Sequence, residues 1–529
     1  MESKKKEEKE RNMNFTEAMT STLNKDYNVS ATENGAVGYR TTGKALLDLN
    51  FSVASLRTAE IPQIIDKFVK AFFEDKIAAM KWLFFARDIR GGLGERRLFR
   101  IIMKYMADKF PEYIKPMIEL TAEFARYDDL WPLLDTELRQ PVINYVSWEL
   151  GSDLARANNQ QPISLLAKWM PSEKAHSKEM RHYAKVLQRG LELSRRDYRL
   201  TLSKLRRYLD VVERKMSEKN WSEIKYEAVP ARANLIYNDA FLRNDEERRR
   251  SYLASLAKGE TKINAGTLFP HEIVHKYRFN RYDATSAVNP TLEELWKALP
   301  DTVNGCGNTI VVADGSGSMG IRVDPNGNAT ALDVANALAI YFAERSSGQF
   351  KDKYLTFSEH PKLVDLSYGK NLREKLMIAH RHSEVANTNI EAVFNLILTT
   401  AVNNHMKQED LPQNILIISD MEFDYCACCG ECTGYWKRKR PDARLFKVIA
   451  DRYEAAGYKL PRLVFWNVNS RTGTIPVKEN DLGVALVSGF SQNVASMVMS
   501  GKLDPYECLM ETLNSERYQP VEKALEGIS

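Results

Sequence analysis

Four short apolar runs in the second half of the chain constrain its fold more than any other feature. They are Thr309-Ile310-Val311-Val312-Ala313, Lys353–Phe357, Ile415-Leu416-Ile417-Ile418 and Leu463-Val464-Phe465. Each is rich in β-branched or aromatic residues and too short for a helix. Between them lie faces with helical spacing: Val334, Leu338, Tyr341 and Phe342; then Ile390, Val393, Phe394, Ile397 and Leu398; then residues 443–456. Strands that are apolar along their whole length, alternating with helices, are the pattern of a mainly parallel sheet covered on both faces. A doubly wound, Rossmann-like α/β domain is expected over residues 308–503.

The first half reads differently. From Pro62 to about Gly259 the apolar period is helical. Ile61, Ile64, Ile65, Phe68 and Phe72 share one face, with Pro62 in a first turn. Gly91-Gly92, Pro111, Pro132, Pro162, Pro171 and Pro230 punctuate the helices. With no clean repeat and no long heptads, a solenoid or ring of helix pairs is the natural reading. The expected plan is a disordered charged leader over residues 1–12, a helical-repeat domain over 13–278, a connector over 279–307, the α/β domain, and a C-terminal helix or tail over 504–529. A chain of 529 residues, 44% hydrophobic, has ample length for two such cores. No apolar run approaches the roughly 20 residues of a membrane helix, so no membrane partner is expected. Four of the six cysteines crowd into residues 426–432, which is no disulfide framework, and the expected location is cytoplasmic.

The first strand runs straight into Asp314-Gly315-Ser316-Gly317-Ser318. In an open α/β sheet, ligands bind at the carboxyl ends of the strands. Asp-x-Ser-x-Ser offers one carboxylate and two hydroxyls there, and a hard cation such as Mg²⁺ takes oxygen ligands. Thr388, before the helix at Ile390, and Asp420, at the end of the strand 415–419, bring further oxygens to the same end. This set resembles the von Willebrand factor A fold with its metal-ion-dependent adhesion site. The resemblance implies Ser316, Ser318 and Thr388 as hydroxyl ligands of Mg²⁺ or Mn²⁺, with Asp314 and Asp420 binding directly or through water. Two carboxylates and an open position would leave the cation able to capture an acidic group of a protein partner or a phosphate. No side chain is poised as nucleophile or base, so binding rather than catalysis is expected.

Five phrases of the helical half carry a second resemblance: Arg87-Asp-Ile-Arg-Gly-Gly-Leu-Gly-Glu-Arg96, Tyr127-Asp-Asp-Leu-Trp131, the stretch 164–172, the stretch 198–206, and Lys262–Ala265 followed by Leu268-Phe-Pro-His-Glu272. In this order, and followed by an A-type domain, they resemble the TROVE module of the Ro ribonucleoproteins, and more closely an uncharacterised TROVE-like family. That resemblance spans roughly residues 30–500 and implies a ring of HEAT-like repeats that binds small structured or misfolded RNA. Charge offers a place for it. Residues 181–215 hold eleven Lys/Arg and four Asp/Glu, a net +7, against +5 for the whole chain. If residues 195–215 form one helix, Arg195, Arg196, Arg199, Arg206, Arg207 and Arg214 fall in a sector of roughly 120° beside the stripe Leu202, Leu205, Leu209 and Val212. Arg87, Arg90, Arg96 and Arg97 around the glycine turn form a second candidate for RNA phosphates. On charge alone the first set also reads as a solvated helix face and the second as an ordinary interhelical turn; the resemblance favours RNA, with a metal-dependent interaction scaffold as the alternative.

Two further patterns stay outside this reading. His271-Glu-Ile-Val-His275 matches H-E-x-x-H, but a third zinc ligand has no candidate nearby and the stretch belongs to the resembling module. Cys426, Cys428, Cys429 and Cys432 could hold zinc or act as a redox loop beside Lys437–Arg440, or be an exposed insertion with reduced thiols.

Overall fold

The computed structural model describes residue 19, residues 28–33, 37–277, 287–303, 308–323, 328–358, 360–382, 390–423, 445–476, 483–495, 497 and 504–528. The charged leader, Thr388 and the four clustered cysteines fall outside these residues.

The helical half begins with a helix Ala45–Phe51 and continues through amphipathic segments such as Ile61–Glu74, which buries Ile64, Phe68, Ala71 and Phe72. Each such side chain contributes roughly 1.5–3 kcal/mol on burial. Ile61 is half exposed, so the apolar stripe starts one turn later than its sequence spacing suggests. Asp75 caps the next helix, Lys76–Arg87, by accepting from the Ala78 amide at 2.9 Å. The glycine turn that follows is imposed sterically: a Cβ on Gly92 would sit 2.0 Å from the Phe85 carbonyl oxygen. Residues 195–215 are not one helix. Arg195–Tyr208 ends at Asp210, whose φ is +51°, and a separate helix Val212–Ser217 follows. The expected connector holds a helix too, Pro290–Lys297, and the short helix Pro270–Val274 precedes it.

The second half is a six-stranded sheet. Its strands are β3 (Thr309–Asp314), β4 (Lys353–Phe357), β5 (Leu363–Asp365), β6 (Asn414–Ser419), β7 (Arg462–Asn467) and β8 (Val484–Ser488), in the order β5-β4-β3-β6-β7-β8. All neighbours pair in parallel except the edge strand β5. Every residue of β3 and β8 is buried, as are all but the first of β6 and β7, so both faces are covered. The expectation of a helical half followed by a largely parallel α/β sheet therefore holds at this level. The edge strand β5, the strand β8 and the helix Leu372–His382 extend it.

Both termini fold back onto distant parts of the chain. Strands β1 (Val29–Ala31) and β2 (Val37–Tyr39) pair antiparallel, and Tyr39 exchanges backbone hydrogen bonds with Ile475 at 2.8 Å each. Gly38 permits this approach, since a Cβ there would meet the Ile475 carbonyl at 2.6 Å. The side chain of Asn467 donates to the Phe51 carbonyl and the Ala54 amide to Ser488 Oγ, tying the ends of β7 and β8 to the first helices. At the other terminus, helices Pro505–Leu513 and Gln519–Ala524 lie against Lys76–Arg87. Arg517 pairs with buried Asp88, Lys81 with Glu522, and Tyr518 packs between Phe85 and Phe124.

Candidate functional site

The chain leaves β3 for β4 and β5 on one side, then returns to β6 on the other. The crevice where strand order reverses lies between β3 and β6, the place where open α/β sheets hold ligands. Asp314 closes β3 and Asp420 follows β6; both are 1% exposed. One Asp314 oxygen accepts from the Ser316 amide at 2.8 Å, the other from the Ser419 hydroxyl at 2.6 Å. Ser316 Oγ and Ser318 Oγ lie 2.9 Å apart and both residues are half-buried, so the hydroxyls form the solvent side of the crevice above the carboxylates. Asp420 Oδ1 accepts from the Glu422 amide at 3.2 Å. Its Oδ2 is buried without a hydrogen bond, its nearest cation being Arg471 Nη1 at 3.5 Å. Met421 between them takes a φ of +61°, a conformation that costs a non-glycine residue free energy and recurs at functional sites.

Two carboxylates so placed are short of positive charge. Burial and then the neighbouring Asp420 charge push Asp314 up to about 6. Burial also raises Asp420, against the lowering effects of the Ser318 hydroxyl, the Glu422 amide and Arg471. A divalent cation would relieve both, and Asp420 Oδ2, which accepts no hydrogen bond, offers it a ligand. The donor set fits Mg²⁺ or Mn²⁺: hard oxygens only, carboxylates beneath and hydroxyls at the rim. Among the described residues no group of three or more His, Cys, Asp or Glu is placed to hold a metal, so this candidate depends on serine oxygens completing two aspartates. Beside it, Asn336, Thr356, Ser358 and His382 line a cleft of about 280 Å³, open mouth included, that Asp314 and Gly315 share.

Sequence reading found Asp314, Ser316, Ser318 and Asp420 and missed three neighbours. Ser419 was readable as a hydroxyl next to Asp420. Glu422 and Arg471 were not, because their roles arise from loops about 50 residues apart. Glu422, 1% exposed, accepts from the amides of Arg471 and Thr472 at 2.8 and 2.9 Å and of Glu33 at 2.8 Å. Arg471 in turn reaches Glu33 Oε2 at 2.5 Å, so the β1–β2 segment is wired to the crevice.

The arginines have varied fates. Arg206 gives its guanidinium to the Ala167 and Met170 carbonyls, both at 2.7 Å. Arg97 donates to the Ala59 and Arg57 carbonyls, and Arg87 is buried in a double contact with Asp129. Arg96 bonds both Asp128 and Asp129. Arg90, Arg196, Arg199 and Arg207 are exposed, and Arg195, 78% exposed, lies 3.7 Å from Glu173. The break at Asp210 removes Arg214 from their face; it pairs with Asp210 and Glu218. In the H-E-x-x-H stretch the helix is five residues long. Glu272 caps it and pairs with Arg232, His271 is buried against Phe269 and Phe490, and His275 faces Asp333 at 3.1 Å.

Residues 146–308 match the family described as domain of unknown function DUF2828, and residues 308–526 match the domain of unknown function DUF7788. DUF2828 is neither a TROVE nor a von Willebrand factor A family, so the TROVE assignment of residues 30–500 is corrected: the phrases at 164–172, 198–206 and 262–272 lie within a different family. Uncharacterized protein L728 of Acanthamoeba polyphaga mimivirus is 31% identical over 535 residues, which cover 93% of this chain and 89% of the viral protein. Over nearly its whole length, then, this chain belongs to the same family as that viral protein.

Proposed function

We propose that this protein is a metal-dependent binding protein, in which Asp314, Ser316, Ser318 and Asp420 hold Mg²⁺ or Mn²⁺ and the cation captures an acidic group of a protein partner. In this reading the sheet half is a von Willebrand factor A-like domain. The observation that carries it is the pair of buried carboxylates at the switch point, one raised to about 6 and the other with an oxygen that accepts no hydrogen bond. Thr388, outside the described residues, would add a hydroxyl. The cation supplies an electrophile; the chain's own groups hold it, orient it through the Ser419 and Ser316 hydrogen bonds, and leave its solvent side open. Both acidic groups are then committed to the metal, and the role in this reading is one of binding. RNA on the helical half has no part in this reading, because it rested on the TROVE resemblance, which fails. Millimolar Mg²⁺ should raise the melting temperature of the wild type at pH 7 and leave Asp314→Ala unchanged; equal responses of the two would overturn the proposal.

A further inference from the structure

Around the start of the helix Arg96–Lys109, four guanidiniums converge on two carboxylates. Asp129 is fully buried: its Oδ2 takes Arg87 at 2.7 and 2.8 Å, and its Oδ1 takes Arg100 at 2.5 Å and Arg96 at 3.3 Å. A single oxygen of Asp128, Oδ2, is shared by Arg96, Arg100 and Arg126, the last two at 3.0 Å each. Four cations thus face two anions, and the excess lies outward. Side-chain exposure rises from 5% at Arg87 through 24% at Arg100 and 31% at Arg126 to 43% at Arg96. Burial lowers the pKa of Arg96 and of Arg126. Arg100 adds to that at Arg96, as do Arg96 and Arg87 at Arg126, while Asp128 and Asp129 oppose it at both. Arg126 lies over the Trp169 ring, its Cζ 4.0 Å from the centroid, with Lys168 Nζ at 5.6 Å from the same ring. Each of Arg96, Arg100 and Arg126 uses Nε and Nη2 on the aspartates, and among the described residues their Nη1 groups have no hydrogen bond to protein.

We infer that this cluster is a phosphate-binding site, with one phosphate seated on the outward edges of Arg96, Arg100 and Arg126. Guanidinium forks match phosphate oxygens in pairs, and these three are already fixed by carboxylates and an aromatic ring, so little side-chain freedom remains to be lost on binding. Arg100 and Arg126 had no place in the charge pattern of the sequence, because their convergence needs the turn at Tyr127–Asp129. The site is independent of the metal crevice.

The test is calorimetric titration of the full chain with inorganic phosphate and, separately, with a single-stranded RNA oligonucleotide, at low salt. Phosphate binding at one site, weakened at least tenfold in Arg96→Gln and in Arg126→Gln, is the expected result. Arg126→Lys keeps the charge but not the fork, and should fall between wild type and Arg126→Gln. An oligonucleotide that competes with phosphate and loses affinity in the same variants identifies the source as a nucleic-acid backbone. Phosphate binding without oligonucleotide binding identifies a free phosphate or phosphomonoester. Absence of both in the wild type, or binding unaffected in variants that melt within a few degrees of it, overturns the inference. Should either glutamine variant fail to fold, Arg126→Lys alone decides, since a structural role predicts no loss of binding.

Discussion

Asp314 carries the most testable chemistry at the scale of single residues. Its pKa in the fold is about 6, against an ordinary 3.8, chiefly because it is buried and next because Asp420 is near. Between those values the metal-free native state keeps a proton that the unfolded chain releases, so stability falls as pH rises from about 4 to about 6 and is flat above. A shift of about two units corresponds to about 3 kcal/mol. Denaturant midpoints in chelator, compared with Asp314→Asn, should show wild type losing that much relative to the variant across this window; parallel pH curves would contradict it. Arg471 is the second lever. It stands 3.5 Å from Asp420 and would repel a dication, so Arg471→Gln should lower the metal-free melting temperature yet tighten Mg²⁺ binding about tenfold, read by calorimetry. Asp314, Ser316, Ser318 and Asp420 were legible because each ends or follows a run of buried strand residues. Arg471 and Glu422 were not, since nothing local marks a residue whose partner lies on another loop.

At the scale of elements, strand runs were the clearest signal. Lys353–Phe357 begins and ends where its composition says, and β3, β6 and β7 extend the apolar runs by one to three residues. Strand β8 carries the same kind of run, but no described helix separates it from β7, so the alternation that reveals the others does not single it out. The helix Leu372–His382 buries Leu372, Leu376 and Ala379 among Arg373, Lys375, His380 and Arg381, a stripe too dilute to stand out. Helix continuity through 195–215 failed at Asp210, where a left-handed backbone breaks an apolar stripe that runs on in sequence to Val212. The β1–β2 segment shows how sterics fix an element's place. Gly38→Ala should force the strand off Ile475, speed amide exchange at Tyr39 and Ile475, and cost roughly 1–3 kcal/mol. Unchanged exchange at both amides would show that the close approach is not maintained.

For the whole molecule, the two halves are joined at both ends of the chain rather than strung in series. Among the described residues no helix is long and apolar enough to cross a membrane. The C-terminal helices insert Tyr518, 1% exposed, between Phe85 and Phe124. Tyr518→Ala should therefore cost about 3–5 kcal/mol and destabilise the helical half, not only the tail. Amide exchange that quickens only beyond residue 504 would argue against such coupling. The central claim remains the cation at the crevice between β3 and β6. Electron paramagnetic resonance of a Mn²⁺ titration tests it most directly. The account predicts one bound Mn²⁺ per chain in the wild type, displaced by excess Mg²⁺ and absent in Asp314→Ala and Asp420→Ala proteins that remain folded. A wild type that leaves all Mn²⁺ free at millimolar concentration, or variants that bind it as the wild type does, would contradict the account.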